Sequence, residues 1–201
     1  MTRALQQQLL SAIADVYHAE GRAAATQSAE TLMAPSTSRF QAQPPCRSDA
    51  TIRALLANSP HPACPAILAA QHLLEWSGNN LAEDLENDAA DISNVAVLVS
   101  PTGPIVAPDI RLGLFYQKPD SYYALHNHDA DETYVIIAGQ ALWTAGDDCR
   151  QRGVGEYIYH PSLMPHAFRA GPHGLLALWR WSGDVNTHSY AFLEDPEAMA
   201  G

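Results

Sequence analysis

Residues 126–132 read His-Asn-His-Asp-Ala-Asp-Glu, and His166 follows them after the length of a β-hairpin. Side chains two positions apart leave the same face of an extended strand, so His126 and His128 project together. Glu132 keeps that parity after a short acidic turn. Neutral imidazole is a good ligand for many divalent ions, and a carboxylate completes such sites. The spacing therefore predicts that these side chains hold one divalent metal ion, which could be Fe²⁺, Zn²⁺, Mn²⁺ or Ni²⁺.

The bulk composition limits the classes of partner. The chain has 201 residues, of which 47% are hydrophobic, and a formal net charge of -11. An acidic surface repels nucleic acid and anionic membranes, so neither is expected as a partner. Residues 83–91 alone carry five acids and no base, which is typical of a solvated surface. A small molecule with a cationic or zwitterionic character is compatible with this charge.

Targeting signals and cysteine usage indicate the compartment. No run approaches the roughly 18 apolar residues of a membrane span, and the first residues lack the basic start and apolar block of a secretory signal. Cys46, Cys64 and Cys149 are widely spaced and form no Cys-x-x-Cys pair. This usage is typical of reduced thiols, so we expect a cytoplasmic protein. Its expected oligomeric state is a monomer or a homodimer.

The first half of the chain predicts helices, because apolar residues recur there at steps of three and four. We expect a helix from Leu5 that Gly21 ends, a connector over 22–47, a helix capped at Ser48 or Asp49 that ends before Pro60, and a helix from Pro65 up to Gly78. Residues 1–92 are thus interpreted as a helical N-terminal extension that packs on the second half.

The second half predicts strands, because short β-branched or aromatic segments alternate with Gly, Pro or Asp turns. The expected strands are Val95–Val99, Ile110–Tyr116, Thr133–Ile137, Ala141–Thr144, Gly155–Tyr159, His166–Arg169, Leu175–Trp181 and His188–Phe192. Strands of this number and spacing indicate a sandwich or a small barrel over residues 93–201.

The ligand spacing resembles the first motif of the cupin superfamily, G-x5-H-x-H-x3,4-E-x6-G. His126, His128, Glu132 and Gly139 match the motif, and Asp120 stands where the first glycine would be. Cupins are small β-barrels, or jelly rolls, that hold one metal ion inside. The resemblance therefore implies a mainly β cupin fold with an N-terminal α-helical extension.

The second cupin motif, G-x5-P-x-G-x2-H-x3-N, is matched less completely. Gly155, Pro161 and His166 fit it, whereas Leu163 replaces the middle glycine and Ala170 the final asparagine. All the ligand positions survive, and the departures fall on turn residues. They affect the expected shape of the loops and leave the expected metal ligands intact.

A narrower resemblance follows from Tyr134, Tyr123 and Trp181, together with the helical extension. These features are similar to the cupin dimethylsulfoniopropionate (DMSP) lyases of marine bacteria, most closely the DddQ type. In that group two histidines and the glutamate usually hold the metal, and the motif tyrosine lies near it. The resemblance implies a β-elimination that converts the zwitterion DMSP into acrylate, dimethyl sulfide and a proton.

That chemistry requires a base and a pocket compatible with a sulfonium ion. Tyr134 shares the parity of Glu132 and is the first choice as base, with Tyr123 second. A divalent cation favours the phenolate form of a nearby tyrosine. Trp179 and Trp181 leave the same face of one expected strand and are candidates for cation–π contact with the sulfonium. His160, one residue before Pro161, is expected to face solvent or to lie behind the ligands.

Two other functions fit the same ligands. A cupin dioxygenase would use Fe²⁺ at the site to activate O₂ and would depend strictly on O₂. A non-enzymatic zinc-binding cupin would act as a sensor, and its helical extension would bind a regulatory partner. Tyr134 and the aromatic residues of the second half favour an enzyme.

Overall fold

The computed structural model describes residues 2–35, 40–78 and 89–195, so most of the acidic segment 83–91 lies outside it. In the described residues, helices come first and strands follow. The helices are α1 (Thr2–Glu20), α2 (Ala23–Met33), α3 (Asp49–Asn58), α4 (Cys64–Ala70) and α5 (Ala89–Ile92), with a 3₁₀ turn over Gln71–Leu73. The strands are β1 (Ser93–Ser100), β2 (Ile105–Val106), β3 (Ile110–Gln117), β4 (Tyr122–Asn127), β5 (Asp131–Ala145), β6 (Asp148–Arg152), β7 (Tyr157–His160), β8 (His166–Ser182) and β9 (Ala191–Phe192).

The expected helices are confirmed at α1 and α3, and one expectation is wrong. Residues 22–47 are not a plain connector, because α2 occupies the first part of that range. Its buried positions include Ala25, Ser28, Ala29 and Leu32, a helical spacing filled mostly by small residues. Small side chains contribute little hydrophobicity, so the helical period of α2 is weak in the sequence.

Smaller differences concern the helix ends. The helix expected up to Gly78 stops at the end of α4, and the 3₁₀ turn follows it. Ser48 precedes α3 as expected but makes no side-chain cap, because its hydroxyl bonds to the side chain of Asn94. Among the described helices none is long and apolar enough to cross a membrane. The cytoplasmic location and the oligomeric state stay predictions.

The strands form one mainly antiparallel sheet in the order β2-β1-β3-β8-β4-β9. Beside this path, β5 pairs with β8 and also with β6 and β7. The ladders between described strands do not close into a continuous ring, so the small barrel expected from the sequence is an open one. Strands β2 and β6 are absent from the predicted set, because β2 has only two residues and β6 is mostly polar, whereas β4 contains the extended segment expected at His126.

Two long strands, β5 and β8, replace four short ones. They pair from Asp131 with Ser182 to Ala145 with His166, and the register shifts on either side of Gly139. The sequence predicts turns between the short strands, whereas the structure continues β5 through Gly139 and β8 through Gly171, with an irregular register at both places. The ladder curls strongly. As a result, Trp181 and His166, which lie near opposite ends of β8, both contact Glu132 of β5.

The extension packs on the outer face of this sheet through α1. Leu9, Ile13 and Tyr17 of α1 belong to the same buried cluster as Leu178 of β8. The Tyr17 hydroxyl donates to the main-chain oxygen of Trp179 at 2.9 Å. We keep the boundary between extension and sheet domain at residues 92 and 93, where α5 ends and β1 begins, as a proposal.

A buried ion pair completes this attachment. Arg180 Nη2 donates to Glu20 Oε1 at 2.6 Å and to Thr133 Oγ1 at 2.9 Å. Both charged side chains are at most 2% exposed. Arg180 lies opposite Trp179 and Trp181 on β8, as the strand parity predicted. The outer faces of β5 and β8 are therefore tied to the end of α1, and their inner faces remain free for the site.

The two residues that replace motif glycines, Asp120 and Leu163, have a left-handed backbone conformation. Asp120 has φ 56° and Leu163 has φ 63°, and these are the non-glycine residues with positive φ in the described chain. Both turns therefore keep the left-handed conformation that a glycine would adopt without strain. The Leu163 N–H donates to the main-chain oxygen of His128 at 2.9 Å, so this loop supports a predicted ligand.

We expect Leu163→Gly to raise the free energy of unfolding by about 0.5–1 kcal/mol. The left-handed conformation costs a non-glycine residue roughly 1–2 kcal/mol, and the greater backbone freedom of glycine in the unfolded chain offsets part of the gain. Leu163 is 53% exposed, so little packing is lost. Urea unfolding measures the change. Leu163→Ala, which keeps the Cβ atom, is the control and should give no gain; an equal gain in both variants would contradict backbone strain as the cause.

Candidate metal centre

The four predicted ligands meet inside the curled sheet. His126 lies on β4, Glu132 on β5 and His166 at the start of β8, and His128 follows β4. Each is at most 2% exposed. Ligand nitrogens of the three histidines all lie within 4.8 Å of one another. Glu132 Oε2 is 3.2 Å from His128 Nε2 and 3.0 Å from His166 Nε2.

The main chain orients the three imidazoles in the same way. In each ring, Nδ1 lies within hydrogen-bond distance of a carbonyl oxygen two residues away. These contacts join His126 to Ala124 at 2.8 Å, His128 to Ala130 at 3.1 Å and His166 to Met164 at 2.9 Å. A neutral imidazole that donates from Nδ1 keeps a lone pair on Nε2. All three Nε2 atoms are then available for a metal.

The cluster is rich in lone pairs and poor in protons. Glu132 is buried with its Oε2 against the Nε2 atoms of His128 and His166. Burial and neighbouring His166 lower the pKa of His126 well below its usual value. His166 Nε2 has no hydrogen-bond partner. A divalent cation satisfies a carboxylate and three imidazole lone pairs at once, so these residues fit the expected metal.

A further imidazole, that of His160, completes the cluster and was not expected among the ligands. Position 160 does not face solvent, which was one of the two placements that the sequence left open, because the side chain is 1% exposed. His160 pairs directly with Glu132 in the β5–β7 ladder. Its Nδ1 lies 3.7 Å from Glu132 Oε2. The spacing of the sequence could not show this, because it depends on which residue faces Glu132 across two strands.

We expect the metal-free protein to lose stability as the pH falls from about 6.5 to 4. Burial, helped by the neighbouring His166, lowers the pKa of His160 from 6.5 to about 4. The unfolded chain therefore binds more protons in this window, and protonation favours unfolding. The full shift corresponds to on the order of 3 kcal/mol.

Urea-unfolding midpoints between pH 7 and pH 4 measure this dependence. The comparison variant is His160→Asn, whose side chain does not titrate and which should show a weaker loss. A midpoint that stays constant over this range in the natural protein would contradict the expectation.

A pocket of about 290 Å³ opens onto the cluster. His126, His128 and Glu132 are among its lining residues. The four residues predicted to act on the substrate also line it: Tyr123, Tyr134, Trp179 and Trp181. Tyr123 reaches the inside because the β4–β8 register shifts between Tyr123 and His126. Sequence parity alone left that placement open.

The structure changes the interpretation of Trp181. Its indole N–H donates to Glu132 Oε1 at 2.7 Å, and its ring lies 4.2 Å from the His128 ring between centroids. The indole therefore holds a ligand in addition to lining the pocket. Trp179 pairs with Tyr134 across β8 and β5, and the two tryptophan rings meet edge to face at 6.1 Å.

The sequence interpretation missed two other residues of the pocket wall. The Tyr190 hydroxyl lies 2.7 Å from the Tyr123 hydroxyl, and its ring stacks on His126 at 5.1 Å. Arg111 also lines the pocket, and its Nε donates to the main-chain oxygen of Val185 at 2.8 Å. Tyr190 lies inside a predicted strand, but its contacts depend on how that segment folds over β4.

A mainly β, curled sheet that gathers imidazoles and a carboxylate on its inner face defines a cupin. Comparison with solved structures agrees with this fold. A chain from a study of the DMSP lyases RdDddP and RnDddQII matches over 96% of this chain and 100% of that one, with a TM-score of 0.68 and 21% identity. DMSP lyase DddQ from Ruegeria pomeroyi DSS-3 matches over 94% and 98%, with a TM-score of 0.63 and 23% identity.

Sequence comparison is more specific. The family model for dimethylsulfoniopropionate lyase matches residues 17–177. The chain therefore belongs to the DMSP lyase family. A curated relative, dimethylsulfoniopropionate lyase DddQ of Ruegeria pomeroyi, is 32% identical over 123 residues. That alignment spans 61% of this chain and 61% of the relative's length.

Proposed function

We propose that the protein is a metal-dependent DMSP lyase that removes a proton from the carbon next to the substrate carboxylate and expels dimethyl sulfide. The carbon–sulfur bond breaks, a carbon–carbon double bond forms, and acrylate and one proton are the other products. The observation that carries the proposal is the proton-poor cluster of imidazoles and Glu132 at the end of an aromatic pocket. Membership of the DMSP lyase family supports this choice of substrate.

His126, His128, Glu132 and His166 are the residues that would hold the metal. A bound divalent ion supplies a Lewis acid, which binds the substrate carboxylate and makes the adjacent C–H bond more acidic. The three histidines are oriented for this task by main-chain carbonyls, and Glu132 is oriented by the Trp181 N–H. These contacts orient the four side chains before a metal or a substrate binds.

Tyr134 is the proposed base. It lies two residues beyond Glu132 on β5, lines the pocket and is 6% exposed. Burial raises the pKa of the Tyr134 hydroxyl well above its usual value of 10, and the negative charge of Glu132 raises it further. A divalent cation beside Glu132 acts in the opposite sense, because it favours the phenolate. Tyr134 can then take the proton only when the cluster is loaded.

The aromatic part of the pocket wall suits the cationic end of DMSP. Trp179, Tyr190 and Phe115 offer aromatic faces, and a good cation–π contact contributes roughly 0.5–2 kcal/mol. Glu132 is the one carboxylate among the described lining residues, and Trp181 and the imidazoles already engage it. The sulfonium ion therefore meets no free carboxylate that would trap it.

The decisive experiment incubates purified protein with DMSP after reconstitution with Fe²⁺, Mn²⁺, Zn²⁺, Ni²⁺ or Co²⁺. We expect dimethyl sulfide in the headspace and an equal amount of acrylate with at least one of these ions, in the absence of O₂. Metal analysis of the purified protein identifies the ion that it carries. No dimethyl sulfide with any ion would contradict the lyase, and strict dependence on O₂ would favour the dioxygenase.

We expect Tyr134→Phe to retain the metal and to lose at least about 100-fold in kcat, because general-base catalysis contributes typically 10²–10⁴-fold. Tyr123→Phe, measured in parallel, tests the second candidate for the base. Tyr157→Phe is the matched control, since that hydroxyl donates to the Val16 main chain on the outer face at 2.8 Å. Near-normal turnover in Tyr134→Phe, with a large loss in Tyr123→Phe, would move the role to Tyr123.

A further inference from the structure

The two carboxylate oxygens of Glu132 have different surroundings. Oε1 accepts the Trp181 indole N–H at 2.7 Å. Oε2 faces the Nε2 atoms of His128 and His166 at 3.2 and 3.0 Å. One oxygen is thus occupied by a donor, and the other points to where the imidazole lone pairs converge. This arrangement suits a carboxylate that binds a metal through Oε2 alone.

His160 approaches Oε2 with the opposite polarity to the three other imidazoles. Its Nε2 accepts the indole N–H of Trp143 at 3.0 Å. A neutral imidazole carries one N–H, so the hydrogen of His160 is on Nδ1. That Nδ1 has no hydrogen-bond partner and lies 3.7 Å from Glu132 Oε2. His160 therefore presents a donor to the cluster, where the other three rings present lone pairs.

Packing keeps the Trp143–His160 pair in place. Trp143 and His160 are each 1% exposed, so water does not compete for their hydrogen bond. The Trp143 ring stacks on Phe168 with centroids 4.1 Å apart and planes at 15°. The His160 ring stacks on His166 at 4.0 Å and 12°. These two stacks hold the planes of the Trp143 and His160 rings.

We propose that Trp143 and His160 are positioning residues of the metal centre. Trp143 sets the tautomer in which His160 directs its Nδ1–H at Glu132 Oε2, and Trp181 binds the other oxygen. The carboxylate is thereby held at Oε1 by the Trp181 N–H and faces the Nδ1–H of His160 at Oε2, 3.7 Å away, which favours binding of the metal through a single oxygen. The inference rests on the proposed metal site, but it does not depend on which substrate the protein converts.

The same geometry argues against His160 as a ligand. Glu132, His160 and His166 also form a group of atoms close enough to surround an ion. A metal would need the lone pair of His160 Nδ1, however, and that atom carries the hydrogen while Trp143 donates to Nε2. The two roles differ in one respect that can be tested: a donor can be replaced by an amide N–H₂, whereas a ligand nitrogen cannot.

The test measures metal affinity by competition with a chelator, and the visible spectrum of the Co²⁺-loaded protein. His160→Leu and Trp143→Phe should each weaken Zn²⁺ binding by about 10–100-fold, the usual effect of losing a partner of a metal ligand, and should change the Co²⁺ spectrum. His160→Asn should restore most of the affinity, because its amide can donate from the position of Nδ1. Tyr157→Phe, which removes only the hydroxyl that donates to the Val16 main chain on the outer face, is the control and should bind Zn²⁺ normally.

A double variant separates a chain of contacts from independent effects. If Trp143 acts through His160, Trp143→Phe should cost little further affinity in the His160→Asn background, because an amide has no tautomer to set. Full affinity and an unchanged Co²⁺ spectrum in both Trp143→Phe and His160→Leu would overturn the proposal. So would a His160→Asn variant as weak as His160→Leu, which would make His160 a ligand. These readouts stand even if no dimethyl sulfide is produced.

Discussion

The structure depends on one buried carboxylate. Glu132 is 2% exposed and is surrounded by imidazole rings and the Trp181 indole. An ionised carboxylate costs several kcal/mol to bury unless donors or cations compensate it. Trp181 and His166, which lie near opposite ends of β8, both reach this one side chain. The sheet must therefore curl so that β8 passes around Glu132. The curled cupin shape and the metal site thus both depend on the burial of this carboxylate.

The two faces of β5 and β8 have different roles. On the inner side, Glu132, Tyr134 and Trp181 form the site. On the outer side, Thr133 and Arg180 form a buried network with Glu20 at the end of α1. Removing one partner of a buried ion pair typically costs 3–5 kcal/mol, because the other charge is left unpaired. The helical extension thus stabilises the backbone whose inner face carries the ligands.

Sequence patterns predicted the features that depend on local geometry. The alternation of a strand was enough to place His126, Glu132 and Tyr134 inside, and the apolar period of α1 was enough to define its buried face. The helix α2 was not predicted, because most of its buried residues are small. At position 163 leucine replaces the motif glycine, yet the loop keeps its left-handed backbone, and the Leu163 N–H donates to the main-chain oxygen of His128.

By itself, the sequence determined which residue types could bind a metal and on which face of their strands they lie, because that face follows from a period of two. Only the tertiary structure decided the tautomers of the histidines, which depend on nearby carbonyls and on Trp143. It also decided that His160 and Tyr190 join the site. The contacts of His160 with Glu132 and His166 connect residues of different strands, and they exist only because β5, β7 and β8 pair in one register and curl together.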